Sequence, residues 1–393
     1  MGYSLPKDKY TSPKEERYRA KELLRNAVTV EDYSNFYTYF KSTSLPYIPC
    51  EEKKTLSMHQ QCFEVLEEIG QVSIPVAVAL SMHYYILATI ASYPLAKTST
   101  SFWKRELLLN KLKKEKALIA NTGSVRTYND ATTAAKISAS KVINGYRVHG
   151  KAPFMSLSGI ADYQVFTAGL AQGKKAIFFA PSNTDQITFG EDVFGDTMLG
   201  SFTKSVTFND LEVAHNFVIA LEEDTPSNQE NASLVYQRAW FQSLGAAPYL
   251  GGAYAVIEHL KAFGAQKHKN GNPLANSEYF QKTVGSLIMK YKGAKQLAIQ
   301  SGTTLANFRK ADRVAFLKEL FEASVLAKYY GTQFAEEIIT QSRQIMGTSF
   351  LKAGSFGAKV SRQITFGAAQ PMTNPDIIDY FAKLSTRAKN TGL

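Results

Sequence analysis

A short bend, Phe154-Met155-Ser156-Leu157-Ser158-Gly159, is where this sequence gathers side chains suited to holding a ligand. A serine hydroxyl both donates and accepts, so two of them between strands suit a molecule with polar edges. The same hydroxyls can instead bond nearby backbone in a turn, and on residue types alone that plainer role is the commoner one. Other chemistries find no support. No His, Cys and Asp cluster has metal-ligand spacing, and no serine stands in a nucleophile elbow. Gly347, Gly354 and Gly357 do not follow a strand or form a dinucleotide fingerprint. Cys50 and Cys62 are the only cysteines, too few for a disulfide framework, which points to a reducing compartment.

Strands must position that bend. The run from Lys141 to Ala168 is rich in β-formers inside a chain that is otherwise mostly helical. Its Asn144-Gly145 pair, flanked by Val142, Ile143, Tyr146 and Val148, predicts a hairpin with a type I′ turn on Asn-Gly. A further strand is expected over Tyr163–Ala168. Short β-rich pieces recur at Ile137–Ile143, Ala176–Ala180, Ile187–Phe189 and Ser205–Phe208, so a small antiparallel barrel or sandwich is expected. Helical patterns flank it on both sides. Ser12-Pro13 suits the cap and first turn of a charged helix. Phe280, Val284, Leu287, Tyr291, Ala294 and Ala298 follow the spacing of one buried stripe. Gly245, Ala246, Ala247, Gly251, Gly252 and Ala253 would let neighbouring helices approach closely. The fold class is therefore α+β and mainly helical. It comprises an N-terminal helical domain (1–116), a middle antiparallel β-barrel domain (117–225) and a C-terminal helical bundle domain (226–393).

With 393 residues, 45% hydrophobic and 20% charged, the chain can bury a large core. Its formal charge of +11 is spread along the sequence, which argues against a nucleic-acid partner and suits a ligand bearing phosphates, such as a dinucleotide or a coenzyme A thioester. Ile74 to Ala96 has no charged residue and is long enough to cross a bilayer. Pro75, His83, Tyr84, Tyr85, Thr89 and Ser92 dilute its hydrophobicity, so a buried helix and no membrane span is the expectation. The charged, polar N-terminus lacks the apolar core of a leader, and a cytoplasmic location is expected.

The order of these layers, with four patches of residues, resembles the acyl-CoA dehydrogenase superfamily over most of the chain. The patches are Val142-Ile143-Asn144-Gly145 through Lys151 to Ala161-Asp162; Thr207-Phe208-Asn209-Asp210-Leu211-Glu212-Val213; Tyr236-Gln237-Arg238 followed by Leu244-Gly245-Ala246; and Gln344-Ile345-Met346-Gly347 with Arg362. The resemblance implies a C-terminal four-helix bundle and a flavin, normally FAD, between the β domain and that bundle. It also implies a homotetramer or dimer and an electron-transfer partner. On it, Ser156 takes the place of the hydroxyl near flavin N5, with Phe154 and Ser158 in the same cluster. Asn121, Thr122 and Ser124 fall on the other ring-contacting loop, and Gln344 and Gly347 where the adenine dinucleotide is held, often from a neighbouring subunit.

The sequence departs from the family where chemistry matters most. Desaturating a thioester needs a carboxylate to take the α-proton. At one family position this chain runs Phe366-Gly367-Ala368-Ala369-Gln370-Pro371-Met372, with Pro371 in place of the usual Glu. At the other it has Gln237, an amide that cannot act as a base. Asp376 and Glu258 are acids nearby in sequence, for which helix-surface solvation is expected. The family's flavin clamp is replaced by Lys267-His268-Lys269-Asn270-Gly271-Asn272-Pro273-Leu274-Ala275, similar to a divergent branch that includes two-component flavin monooxygenases. Those take reduced FMN or FAD from a separate reductase and need no such base. His83 is then a candidate acid–base or substrate-facing group, although a lone histidine on a buried helix is more often a bonded core residue. The expected function is a flavin-dependent oxidoreductase acting on an acyl thioester or related small molecule. The alternatives are a reduced-flavin monooxygenase and a non-catalytic homologue that keeps the fold.

Overall fold

The computed structural model describes residues 12–122, 137–171, 174–221, 232–266, 271–308 and 313–387. Ser124 and Lys267 lie outside the described residues. Six helices come first: α1 (Pro13–Val30), α2 (Ser34–Ser42), α3 (Ile48–Glu51), α4 (Thr55–Gly70), α5 (Ile74–Ser92) and α6 (Thr100–Glu115). Ser12 caps α1 as its sequence suggests: its hydroxyl accepts from the Glu15 N–H, and the Glu15 carboxylate accepts from the Ser12 N–H at 2.8 Å. Every residue from Ile74 to Ile90 is buried. Among the described residues α5 is the one helix long and apolar enough to cross a membrane, and here its surface is covered by protein.

Eight strands follow: β1 (Ile119–Asn121), β2 (Ser138–Val142), β3 (Gly145–Met155), β4 (Tyr163–Gly169), β5 (Lys175–Pro181), β6 (Ile187–Asp192), β7 (Lys204–Ala214) and β8 (Val218–Ile219). They form one sheet in the order β6-β7-β3-β2-β4-β5-β8, with β1 beside β4. Pairing is mainly antiparallel, but β1 runs parallel to β4, as does β2 at a single bridge. The hairpin between β2 and β3 differs from expectation by one residue. Val142 pairs with Gly145, so Ile143 and Asn144 make the turn, and neither has positive φ. Gly145 serves a different need. A Cβ there would lie 2.1 Å from the Val213 carbonyl oxygen of β7, so glycine permits strand approach rather than a left-handed turn. β3 also continues to Met155, beyond the short strand expected, with a register shift at Gly150 where φ reaches 142°.

The chain returns to helices in α7 (Ala232–Gly245), α8 (Ala247–Ala265), α9 (Glu278–Asn307) and α10 (Arg313–Met346), which pack on one another as a bundle, then α11 (Thr348–Leu351), α12 (Phe356–Ala369) and α13 (Asn374–Arg387). Phe280, Leu287, Tyr291, Ala294 and Ala298 are the buried stripe of α9. The small residues of α8 lay it against the first helices. A Cβ on Gly251 would meet the Glu67 carbonyl at 2.2 Å, and one on Gly252 would meet Ile74 Cδ1 at 2.5 Å. The buried Glu67 carboxylate then accepts from Tyr291 Oη and Lys295 Nζ, both at 2.5 Å, tying α4 to α9.

Candidate active site at the junction of helices and sheet

Asn121 ends β1 and forms an isolated antiparallel bridge with Ser156 at the end of β3, so two segments that sequence alone left apart meet here. Tyr85 of α5, fully buried, donates its hydroxyl to Asn121 Oδ1 at 2.8 Å. Burial pushes the Tyr85 phenol well above its ordinary range, and a hydrogen bond from Gln237 of α7 opposes this. Phe241 of α7 meets the Tyr85 ring edge-on at 5.2 Å. Asn121 is 1% exposed, and among the described residues its Nδ2 has no partner. An amide N–H buried without an acceptor costs about 1–3 kcal/mol, so this donor is available to a ligand acceptor.

The bend beside it is built on Leu157, whose φ of 65° is rare for a side chain of that shape, and whose N–H donates to the Ser201 carbonyl at 3.0 Å. Ser156 Oγ lies 3.0 Å from Thr203 Oγ1, which lies 2.9 Å from Ser201 Oγ, giving a chain of three hydroxyls. Ser158 takes the plainer role, bonding the Phe202 carbonyl at 3.4 Å. Phe154, 46% exposed, stacks on Phe194 at 5.5 Å and 7°. Phe194 in turn meets Phe366 of α12 edge-on at 5.1 Å. An aromatic wall therefore joins the sheet to α12.

Gln237 and Pro371, the two positions at which the resemblance leads one to expect a carboxylate, carry no charge. Gln237 lies beside Tyr85, and the Pro371 carbonyl accepts from Gln242 Nε2 at 3.0 Å. The neighbouring acids have surface duties: Asp376 accepts from the Thr373 N–H at 3.1 Å and its hydroxyl at 2.6 Å, and Glu258 pairs with Lys261 at 3.0 Å. His83 is fully buried with both ring nitrogens committed. Nδ1 accepts the Ile119 N–H at 3.1 Å, and Nε2 donates to the Pro46 carbonyl at 3.0 Å. Burial lowers it to about 4, so the ring is neutral and pins α5 to β1. Thr122 is buried next to Asn121, whereas Gln344 and Gly347 are exposed at the end of α10.

A cleft of about 260 Å³ opens between the start of α6, β5 and β8, lined in part by Thr100, Ser101, Lys104, Tyr146, Lys174 and Lys175. Among the described residues neither Lys104 nor Lys175 has a carboxylate within ion-pair distance. Lys175 is held below its ordinary range by burial first and then by the Arg238 charge. Two half-buried lysines in the lining of one cleft suit an anionic ligand. Arg238 follows Gln237 on α7, so the cleft adjoins the helix that supplies the amide.

Sequence reasoning missed Tyr85, Thr203, Phe194 and Phe366. Tyr85 had a usable signal, since Tyr85, Thr89 and Ser92 are polar groups at i, i+4 and i+7 of an apolar helix, and Ser92 Oγ lies 2.8 Å from Tyr236 Oη of α7. The aromatic wall had none, because its members come from three distant segments.

Residues 243–364 match the family model for the acyl-CoA dehydrogenase C-terminal domain. Among solved structures the chain is similar to FMN-bound TdsC from Paenibacillus sp. A11-2, with TM-score 0.75 and 15% identity over 93% of this chain and 95% of that one. It is similar to KijD3 in complex with FMN and a dTDP-linked amino sugar, with TM-score 0.78 and 15% identity over 97% and 92%. It is also similar to an electron transferring flavoprotein of Acidaminococcus fermentans, with TM-score 0.69 and 16% identity over the whole of both chains. No curated protein sequence matches. The fold is acyl-CoA dehydrogenase-like, and the family-model match falls within its C-terminal helices.

Proposed function

We propose that this chain is a flavin-dependent oxidoreductase in which no carboxylate takes a proton from the substrate, and that it works with reduced flavin and oxygen. The observation that supports it best is the buried Asn121 side chain, whose Nδ2 has no partner among the described residues and whose backbone is bridged to Ser156, with the neutral Gln237 bonded to Tyr85 behind it. Flavin fits these residues, since its ring has a row of acceptors along one edge and a flat face suited to Phe154. TdsC, a dibenzothiophene monooxygenase, and KijD3 share the fold and hold FMN. When bound, a flavin supplies two-electron redox chemistry and, once reduced, oxygen activation.

The chain's own groups have defined tasks. Asn121 Nδ2 donates to an acceptor on the ring edge while Tyr85 fixes the amide from behind. Ser156, steadied by Thr203, can donate or accept as the facing atom changes protonation. Phe154, Phe194 and Phe366 cover the site against water. Gln237 offers an amide to a polar group of the substrate, and the lysine cleft receives an anionic tail. That cleft also favours a second reading, dehydrogenation of a coenzyme A thioester, since such a substrate ends in phosphates. A flavin reductase or electron-transfer protein is the partner either reading requires, and a homo-oligomer would cover Gln344 and Gly347.

Flavin fluorescence titration tests the core of this proposal. FMN or FAD emission should be quenched on binding, and Asn121→Ala should weaken affinity about tenfold, the worth of one buried hydrogen bond. Failure of both flavins to bind would overturn it. To separate the two readings, photoreduced flavin is mixed with oxygen, with and without the protein. A protein-dependent delay in hydrogen peroxide release supports oxygenation. Unchanged release, together with flavin reduction by an acyl-CoA, supports dehydrogenation.

A further inference from the structure

Lys328, midway along α10, is 3% exposed, and its amine reaches the segment that joins α12 to α13. It donates to the Met372 carbonyl at 2.9 Å and to Asn374 Oδ1 at 2.8 Å, with the Ala368 carbonyl at 3.5 Å. Asn374 is locked in turn by Thr332, whose Oγ1 donates to Asn374 Oδ1 at 3.2 Å and lies 3.1 Å from Nδ2. From the opposite side Gln242 of α7 holds the Pro371 carbonyl. Residues 370–373 are thus a strap fastened from two helices, α7 and α10. The same strap leaves α12 four residues after Phe366, the last member of the aromatic wall. We infer that Lys328 is a positioning residue, whose amine seats the 370–373 strap, and that the strap opens as this amine takes up a proton and enters water.

The bond pattern supports this. The three oxygens that the buried amine meets are all neutral, so the closed strap solvates an ammonium less well than water does. Burial works against the charged form and brings Lys328 to about 7, while Asp376 of α13 and Glu336 of α10 pull weakly the other way. Once the strap opens, the amine regains the ordinary lysine value of roughly 10.4. Between these values the closed form is neutral and the open form protonated, so opening takes up one proton. The open population therefore grows about tenfold for each pH unit lost from 10 to 7 and levels off below 7. Glu336, itself pushed up by burial, is the one competing half-buried acid near the amine.

Hydrogen exchange of the wild-type protein at pH 7, 8 and 9, corrected for intrinsic rates, tests the inference with or without any flavin. Amides of residues 370–377 should gain about tenfold in protection per pH unit over this range. The slope should persist in Glu336→Gln and vanish in Lys328→Met, whose strap should exchange at least tenfold faster than wild type at pH 9 while α9 stays protected. A flat profile in the wild-type protein overturns the proposal even if the methionine variant fails to fold. So does a slope that survives Lys328→Met, or one spread evenly through the bundle.

Discussion

Replacing His83 with leucine separates a structural pin from a chemical group. The leucine side chain is of similar size but offers neither an acceptor to the Ile119 N–H nor a donor to the Pro46 carbonyl, and both backbone groups are buried. Each group left without a partner costs about 1–3 kcal/mol, and relief from burying a polar ring returns part of that. A net loss of about 3 kcal/mol is expected at pH 7.5, read from denaturant midpoints at a common slope. The pH dependence adds a second constraint. His83 is lowered to about 4 in the folded chain against an ordinary 6.5, so its contribution is fully present above 6.5 and declines as pH falls towards 4. At pH 5.0 the wild-type protein has lost about 2 kcal/mol through this group, at 1.36 kcal/mol per unit, whereas the leucine variant has nothing to lose. The gap between the two proteins should therefore shrink from about 3 to about 1 kcal/mol. A variant as stable as wild type at pH 7.5 that had lost only turnover would refute this reasoning and return His83 to the chemistry. A gap equal at both pH values would refute the neutral, pinned ring.

Other outcomes follow from the same structure. His59 is fully buried and also lowered to about 4 by burial alone, so with His83 the chain should lose about 5 kcal/mol of stability between pH 6.5 and 4, seen as acid unfolding by circular dichroism. Gly145→Ala should cost about 3 kcal/mol in chemical denaturation, because its Cβ meets the Val213 carbonyl. Lys175→Met should weaken binding of coenzyme A, measured by calorimetry, about tenfold and flatten its salt dependence, because a charge-assisted phosphate contact is lost.

The layers of the fold were legible because period and punctuation agree with burial. The α9 stripe, the Ser12 cap and the strand at Tyr163 each follow from local residue order. Gly145 shows where that reasoning ends. An Asn-Gly pair is read as a turn because both residues tolerate positive φ, yet here the glycine is fixed by β7, which arrives some 70 residues later and asks only for space. In the site, the bend at Ser156 was visible as a local cluster, and Asn121 came only through family order. Tyr85, Thr203 and Phe366 were hidden because each acts across a contact between distant segments, which residue spacing does not encode. Family order likewise offered His83 for chemistry, and only the Ile119 and Pro46 partners reveal what it holds together.

That pin bears on how the chain can be divided. β1 is three residues long, its one ladder is with β4 and a single bridge ties Asn121 to Ser156; the Ile119 N–H finds its acceptor on a helix side chain, and Leu118 donates to Asp162, which Lys41 of α2 neutralises at 2.7 Å. A fragment cut at the helix–strand border would carry the sheet but lose His83 and Lys41 together, exposing an apolar strand edge with unmet backbone donors. Such a fragment should aggregate when expressed alone. Truncations meant to isolate the sheet must therefore retain α2 and α5, which makes the first helices part of the sheet's own folding unit.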